Sequence, residues 1–362
     1  MKNGRMTHFL IRVLMVAFWC AVLALCLIGP RFIAWDAGRS ISVLAWSDTF
    51  DRAWVQQFER ETGITVCLNY CTTNEELFVK LRASGGAGYD VIVLSDYAVR
   101  QLGQEGLLKK LDKSHLPFFS KINPALLGHQ FDPHNDFAVP FSWTVYCIGL
   151  NKKYVDQNTV SDPWDLIFTP YTGRSNYRVI MINDPLEAIG FASHYLYGPD
   201  VTSLSNEQLV TIRALLCMQK GWVEAYTNIM TDYTLGSGAA HAAVMQISDA
   251  WRAMKKYAHV DYMIPTDALV SIEHCAIPVG SKKEALAYEF LNYMYTPESC
   301  IHHFNTFLMC PVRLDIIPFL EGVSQRQRDL MVSSPEAFSN YSFVRDLVSE
   351  QQRYDLWVVL KS

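Results

Sequence analysis

Residues Asp136 to Tyr154 read DFAVPFSWTVYCIGLNKKY, and this run constrains the chain more than any other. From Phe137 to Leu150 almost every residue is apolar, aromatic or β-branched, which suits a strand buried on both faces. At about 3.3 Å per residue it outruns an ordinary strand of about five or six residues. Pro140 has no N–H to give a ladder, so a break or a sheet edge is expected there. A strand this long in mid-chain can close one sheet and open another. The expected architecture is α/β, with two lobes and this stretch crossing between them.

The flanking sequence agrees with that plan. Ile41 to Trp46 is a buried strand, and Phe50, Trp54 and Phe58 recur at helical spacing up to Gly63. Ile64–Tyr70 (strand), Asn74–Arg82 (helix) and Tyr89–Leu94 (strand) complete β-α-β-α-β, the pattern of a parallel sheet. The turn Gly85–Gly88 has no Lys-Ser/Thr after it and precedes a strand, so a phosphate-binding loop is excluded. Beyond the crossing strand, strands are expected at Arg178–Asn183, His241–Ile247, Val260–Ile264 and Ser271–Pro278. Helices are expected to Tyr197, over Asn206–Gln219, Ala250–Tyr257, Lys283–Tyr295 and Glu298–Phe307, and last over Phe343–Leu360.

The N-terminus is basic and leads into VLMVAFWCAVLALCLIG, Val13 to Gly29. This is a signal peptide or a membrane anchor, with export implied in either case. Residues 1–39 hold five of the 31 basic residues and one of the 36 acidic ones. The remainder therefore carries 26 against 35, a charge of −9. Such a body is a poor nucleic-acid binder and a plausible host for cations. Cys67, Cys71, Cys147, Cys217, Cys275, Cys300 and Cys310 are odd in number and irregular in spacing, so they form no disulfide framework and read as buried single cysteines.

Polar groups recur at the carboxyl ends of predicted strands: Ser47-Asp48, Ser95-Asp96, Asp184 and Ser248-Asp249. In open α/β sheets the ligand crevice lies at those ends, and two facing lobes would gather these groups across a cleft. Asp48, Asp184 and Asp249 also fit the plainer role of helix N-caps. Glu273 stands apart, because a lone carboxylate in the apolar strand SIEHCAIP is costly to bury without a partner. His274 alternates to the other face and reads as structural. His302-His303 read as surface residues. No G-x-S-x-G, H-E-x-x-H, Walker A or G-x-G-x-x-G occurs, which argues against nucleophilic, zinc-protease and nucleotide chemistry.

Taken together, AWSDTFDRAWVQQFERETGITV (45–66), GYDVIVLSDYAV (88–99), EGLLKKLDKSHLP (105–117), FDPHNDFAVPFSWTVYCIGLNK (131–152), INDPLEAI (182–189), SDAWRA (248–253) and AIPVGSKKEALAYEFLNYMYTPE (276–298) resemble the bacterial spermidine/putrescine-binding proteins, periplasmic receptors of polyamine ABC transporters. The resemblance implies the two-lobe type II periplasmic binding protein fold, each lobe a mostly parallel sheet flanked by helices, with the ligand cleft between lobes. Lobe 1 is expected over 40–147 plus 270–316 and lobe 2 over 148–269 plus 317–362, behind the leader at 1–39. It further implies a substrate-binding protein and not an enzyme, located in the periplasm. The expected partners are a putrescine or spermidine ligand, a membrane permease and its ATPase, and the inner membrane through the leader if it is retained. No cofactor, metal or nucleic acid is expected, and the chain is expected to be a monomer. The other readings are a membrane-tethered sensor for a small amine or other solute on the same fold, and an exported carboxylate-based hydrolase.

Carried over position by position, the family's ligand-binding residues fall on Trp46, Ser47, Asp48, Ser95, Tyr97, Asp184, Glu187, Asp249 and Glu273. Gln246, Ser271 and Thr49 stand where the family has aromatic residues, and the tyrosine expected near Leu308 is missing. Trp143, Trp251 and Tyr233 are the aromatics available to replace them. The acidic set survives while much of the aromatic cage does not, which leaves the identity of the ligand open.

Overall fold

The computed structural model describes residues 14–15, 17–19, 22–23, 39–47, 49–169 and 176–362. The leader Val13–Gly29 lies mostly outside these residues, and among the described residues no helix is long and apolar enough to cross a membrane.

The first part of the chain forms β1 (Ser40–Trp46), α1 (Arg52–Thr62), β2 (Thr65–Cys71), α2 (Asn74–Ser84), β3 (Val91–Ser95) and α3 (Asp96–Gln104). β1 pairs in parallel with β2 on one side and β3 on the other. Local chemistry sets these boundaries. Asp51 accepts from the N–H groups of Ala53 and Trp54 to start α1, and Gly63, at φ 68°, ends it in the left-handed region. α1 buries Trp54, Val55 and Phe58, and the rings of Trp54 and Phe58 pack against Phe290 and Tyr293.

β4 (Ala138–Asn151) is buried along all 14 residues. After it come β5 (Val179–Met181), α4 (Pro185–Tyr197), α5 (Asn206–Gln219), β6 (Val223–Tyr226), β7 (Ala242–Gln246), α6 (Ile247–Lys256), β8 (Val260–Met263), β9 (Leu269–Ala276), α7 (Glu284–Met294), α8 (Pro297–Phe307) and, at the C-terminus, α9 (Glu350–Lys361). β4 is the crossing strand. Its residues up to Val145 pair antiparallel with β9, which in turn pairs with β3. From Tyr146 onward it pairs with β7 and β8, and β7 continues through β5 to β6. Side-chain alternation then assigns its two faces to different cores: Trp143, Val145 and Cys147 to one, Tyr146, Ile148 and Leu150 to the other. The break expected at Pro140 is a register shift between Pro140 and Ser142 within a continuous strand. Tyr295 Oη donates to the Pro140 and Val139 carbonyls there, at 2.7 and 3.2 Å, and so satisfies groups the irregularity frees.

Four expectations need correction. The last helix does not start at Phe343: Ser342–Phe343 pairs in parallel with β9, and α9 begins only after Ser349, which forms a reciprocal capping pair with Gln352. β6 and α3 are additional elements. Cys67 and Cys217 are exposed, while Cys71, Cys147, Cys275 and Cys310 are buried. His303 is not a surface residue; it is buried among Phe50, Trp54 and Phe141, and burial pushes its pKa down to about 3. His274 is buried as expected, with Nδ1 2.9 Å from the Ile272 carbonyl oxygen.

An acidic cleft between the lobes

The site begins with the sheet register. β3 and β4 flank β9 so that Ser95 and Ser142 both lie opposite Glu273. At the carboxyl end of β1, Trp46 Nε1 donates to Glu273 Oε2 at 2.8 Å. This holds the carboxylate beside an indole, whose N–H brings a dipole and no charge. Ser95 ends β3, and its Oγ is buried without a hydrogen-bond partner among the described residues.

Asp96 follows Ser95 and is only 2% exposed. It accepts from the backbone N–H of Tyr97 at 2.7 Å and of Ile272 at 3.2 Å. Burial is nevertheless the larger effect and, with the nearby charge of Glu273, pushes its pKa up to about 8. Tyr97, in the first turn of α3, turns a buried hydroxyl without a partner among the described residues toward the other lobe. Burial raises its pKa, and so do the charges of Glu75, Asp184 and Glu187.

The second lobe contributes the start of α4. Asp184 is its N-cap, accepting from the N–H groups of Leu186 (2.8 Å) and Glu187 (3.0 Å), with Pro185 at the first helical position. Glu187 lies in the first turn and accepts from Tyr146 Oη, on the residue where β4 changes sheets. Burial holds the Glu187 pKa well above the carboxylate range; the charges of Asp184, Glu273 and Asp96 add to this, while the Tyr146 hydrogen bond opposes it. Carboxylates of both lobes thus repel one another across a shared, poorly hydrated space. The arrangement favours a cation over protonation wherever one is supplied.

Of the residues expected from sequence, Trp46, Ser95, Tyr97, Asp184, Glu187 and Glu273 are brought together here. Ser47 is exposed at the end of β1, and Asp48 lies outside the described residues. Asp249, in the first turn of α6, forms an ion pair with Arg252 at 3.0 Å, and its charge acts on Cys147. Two of the replacement aromatics do not line the cleft, since Trp143 and Trp251 are 2% and 1% exposed within the core; Tyr233 is exposed. Sequence reading missed Tyr146, Glu75 and Arg353, and it named Asp96 among the strand-end groups without including it in the ligand-binding set. Asp96 carried the same Ser-Asp signal as Ser248-Asp249. Tyr146 was hidden in an apolar run, and Arg353 had no local signal at all.

A crossing strand, two flanked sheets and a charged cleft between them define a binding protein of the two-lobe solute-receptor class. Residues 53–325 match the family described as bacterial extracellular solute-binding protein, and the chain belongs to that family. It is 28% identical over 343 residues to a putrescine/cadaverine-binding protein of Pseudomonas aeruginosa, spanning 90% of this chain and 94% of that one. It is 29% identical over 280 residues to a putrescine-binding periplasmic protein of Escherichia coli, spanning 73% of this chain and 75% of the other. Among solved structures, a putative spermidine/putrescine ABC transporter protein of Listeria monocytogenes shares the fold at TM-score 0.77 and 22% identity, covering 90% of this chain and 99% of that one. The chain is accordingly an extracytoplasmic solute-binding protein, not an enzyme.

Proposed function

We propose that this protein binds a diamine or polyamine, putrescine or spermidine in the first instance, in the acidic cleft between its lobes and delivers it to the permease of an ABC transporter. The observation that carries this reading is the meeting of Glu273 and Asp96 from one lobe with Glu187 and Asp184 from the other. Four carboxyl groups so placed call for a ligand with separated positive charges. The names of the relatives point to the same ligand class. Trp46, Ser95 and Tyr97 would line the methylenes and accept ammonium protons, with Ser47, Asp48 and Asp249 at the margins. A charge-assisted hydrogen bond contributes about 1.5–3 kcal/mol and a cation–π contact about 0.5–2 kcal/mol. The partners in this reading are the permease and its ATPase, with the leader delivering or anchoring a monomeric receptor at the outer face of the inner membrane. In this reading lobe 1 comprises 40–147 plus 270–316 and lobe 2 comprises 148–269 plus 317–362.

The test is calorimetric titration of the purified protein with putrescine, cadaverine, spermidine and spermine, repeated with Glu273→Ala. Micromolar or tighter binding of one amine, lost in the variant, is the expected result. Folded protein that gives no heat with any of the four would sink the proposal.

A further inference from the structure

The acidic cleft already contains a cation from the protein itself. Arg353, on the C-terminal helix α9, is 5% exposed, and its guanidinium is held by Asp346 at 2.7 Å and by Glu75 at 3.5 Å. The two partners come from different parts of the molecule. Asp346 lies in the segment between the Ser342–Phe343 strand and α9, and α9 packs on α4, the helix that presents Asp184 and Glu187. Glu75 opens α2 in the other lobe, beside Asn74, whose Oδ1 faces the backbone N–H of Ser95 at 3.5 Å. Arg353 therefore reaches from one lobe to the other at the end of the cleft marked by Glu75, Tyr97 and Asp184. Its charge acts on all three, lowering the pKa of each against the larger effect of burial. Glu273, held by Trp46, acts instead on Glu187 and Asp96.

We propose that Arg353 sets the length of the ligand: its guanidinium is a resident cation at the Glu75–Asp184 end, so the cleft accepts the two charges of a short diamine near Glu187, Asp96 and Glu273 and rejects a triamine. A further ammonium directed toward Asp184 would meet a like charge already desolvated and paired, and Arg353 has no acid–base route to give way, because guanidinium stays protonated. Removing the guanidinium leaves Glu75 and Asp184 uncompensated and frees the space for an extra ammonium group. Arg353 is thus a specificity residue that acts by occupying a position. This inference rests on the amine-binding reading above.

The experiment compares putrescine with spermidine on the full-length protein and on Arg353→Met and Arg353→Gln, with thermal melting to establish folding. The wild type is expected to prefer putrescine by about tenfold or more, since one like-charge contact or lost ion pair at a buried site readily reaches that size. The variants are expected to reduce that ratio at least tenfold by tightening spermidine, with putrescine affinity little changed. A wild type that binds spermidine as well as putrescine, or a ratio unchanged in either folded variant, overturns the role of Arg353 while leaving amine binding intact. No binding of either amine to folded wild type overturns both. If neither variant folds, the wild-type ratio decides alone.

Discussion

Trp46 Nε1 donates to Glu273 Oε2 at 2.8 Å, joining the end of β1 to the middle of β9. The contact fixes the direction of a carboxylate without neutralising it, because an indole N–H brings a dipole and no charge. Glu273→Gln preserves an acceptor for Trp46 and removes the charge. It should weaken amine binding by roughly ten- to a hundredfold, the size of one charge-assisted hydrogen bond, with a melting temperature near that of the wild type. Titration calorimetry paired with thermal melts reads both quantities, and undiminished affinity would remove Glu273 from the site.

Acid should compete with the ligand. Asp96 has its pKa pushed up to about 8, and Glu187 is raised well above its usual range. A bound ammonium group favours the ionised carboxylates, so binding near neutral pH should release protons and affinity should fall as pH drops below about 8. Calorimetry in buffers of different ionisation enthalpy measures the release directly.

The sign for stability is the opposite. With a folded pKa above its unfolded value, Asp96 holds more protons folded than unfolded between about pH 4 and 8. Its contribution to stability is present in full below the unfolded pKa and is lost as pH rises through the folded one. The ligand-free protein should therefore gain melting temperature from this group as pH is lowered from 8 toward 5, and Asp96→Asn should flatten that slope.

Tyr146→Phe should weaken amine binding through Glu187, whose pKa the Tyr146 hydroxyl lowers by donating to it. The loss expected is about three- to tenfold, the worth of one hydrogen bond, and it should be largest at acid pH, where Glu187 is hardest to ionise. An effect independent of pH would point to packing alone.

Gly280→Ala should destabilise the fold by about 1–3 kcal/mol, because overpacking forces the backbone to move. A Cβ there would lie 2.5 Å from the Ala87 nitrogen and the Gly86 carbonyl carbon. Denaturant unfolding measures the loss. The glycine turn excluded above as a phosphate loop thus has a packing role: it lets two backbone segments touch.

Much of this architecture was legible beforehand, and the reason is local. Asp51, Gly63, Ser205 and Pro185 punctuate helices through their own backbone chemistry, so boundaries such as Asn206–Gln219 could be read from nearby residues. The crossing of β4 was visible because burial on both faces leaves no polar alternation. The site was legible where a charge interrupted an apolar strand, as at Glu273, or followed a strand end, as at Asp184. It was not legible where long-range packing decides. Phe343 has the apolarity of a helix face but is held in a strand beside Val270. Trp143 and Trp251 have the chemistry of a ligand cage and serve as core. Glu75 and Arg353 meet only because α9 folds back onto α4, a contact between residues 278 positions apart with no trace in either neighbourhood.

The shared strand also bears on heredity. β4 gives eight consecutive positions, Ala138–Val145, to one sheet and Tyr146–Asn151 to the other. No cut in the gene yields one lobe without taking a strand from its neighbour. Recombination that exchanges a single lobe between relatives must therefore splice inside a buried strand, where both halves have to match at once. New ligand preferences in such a chain should arise by point substitutions around the cleft more readily than by module exchange.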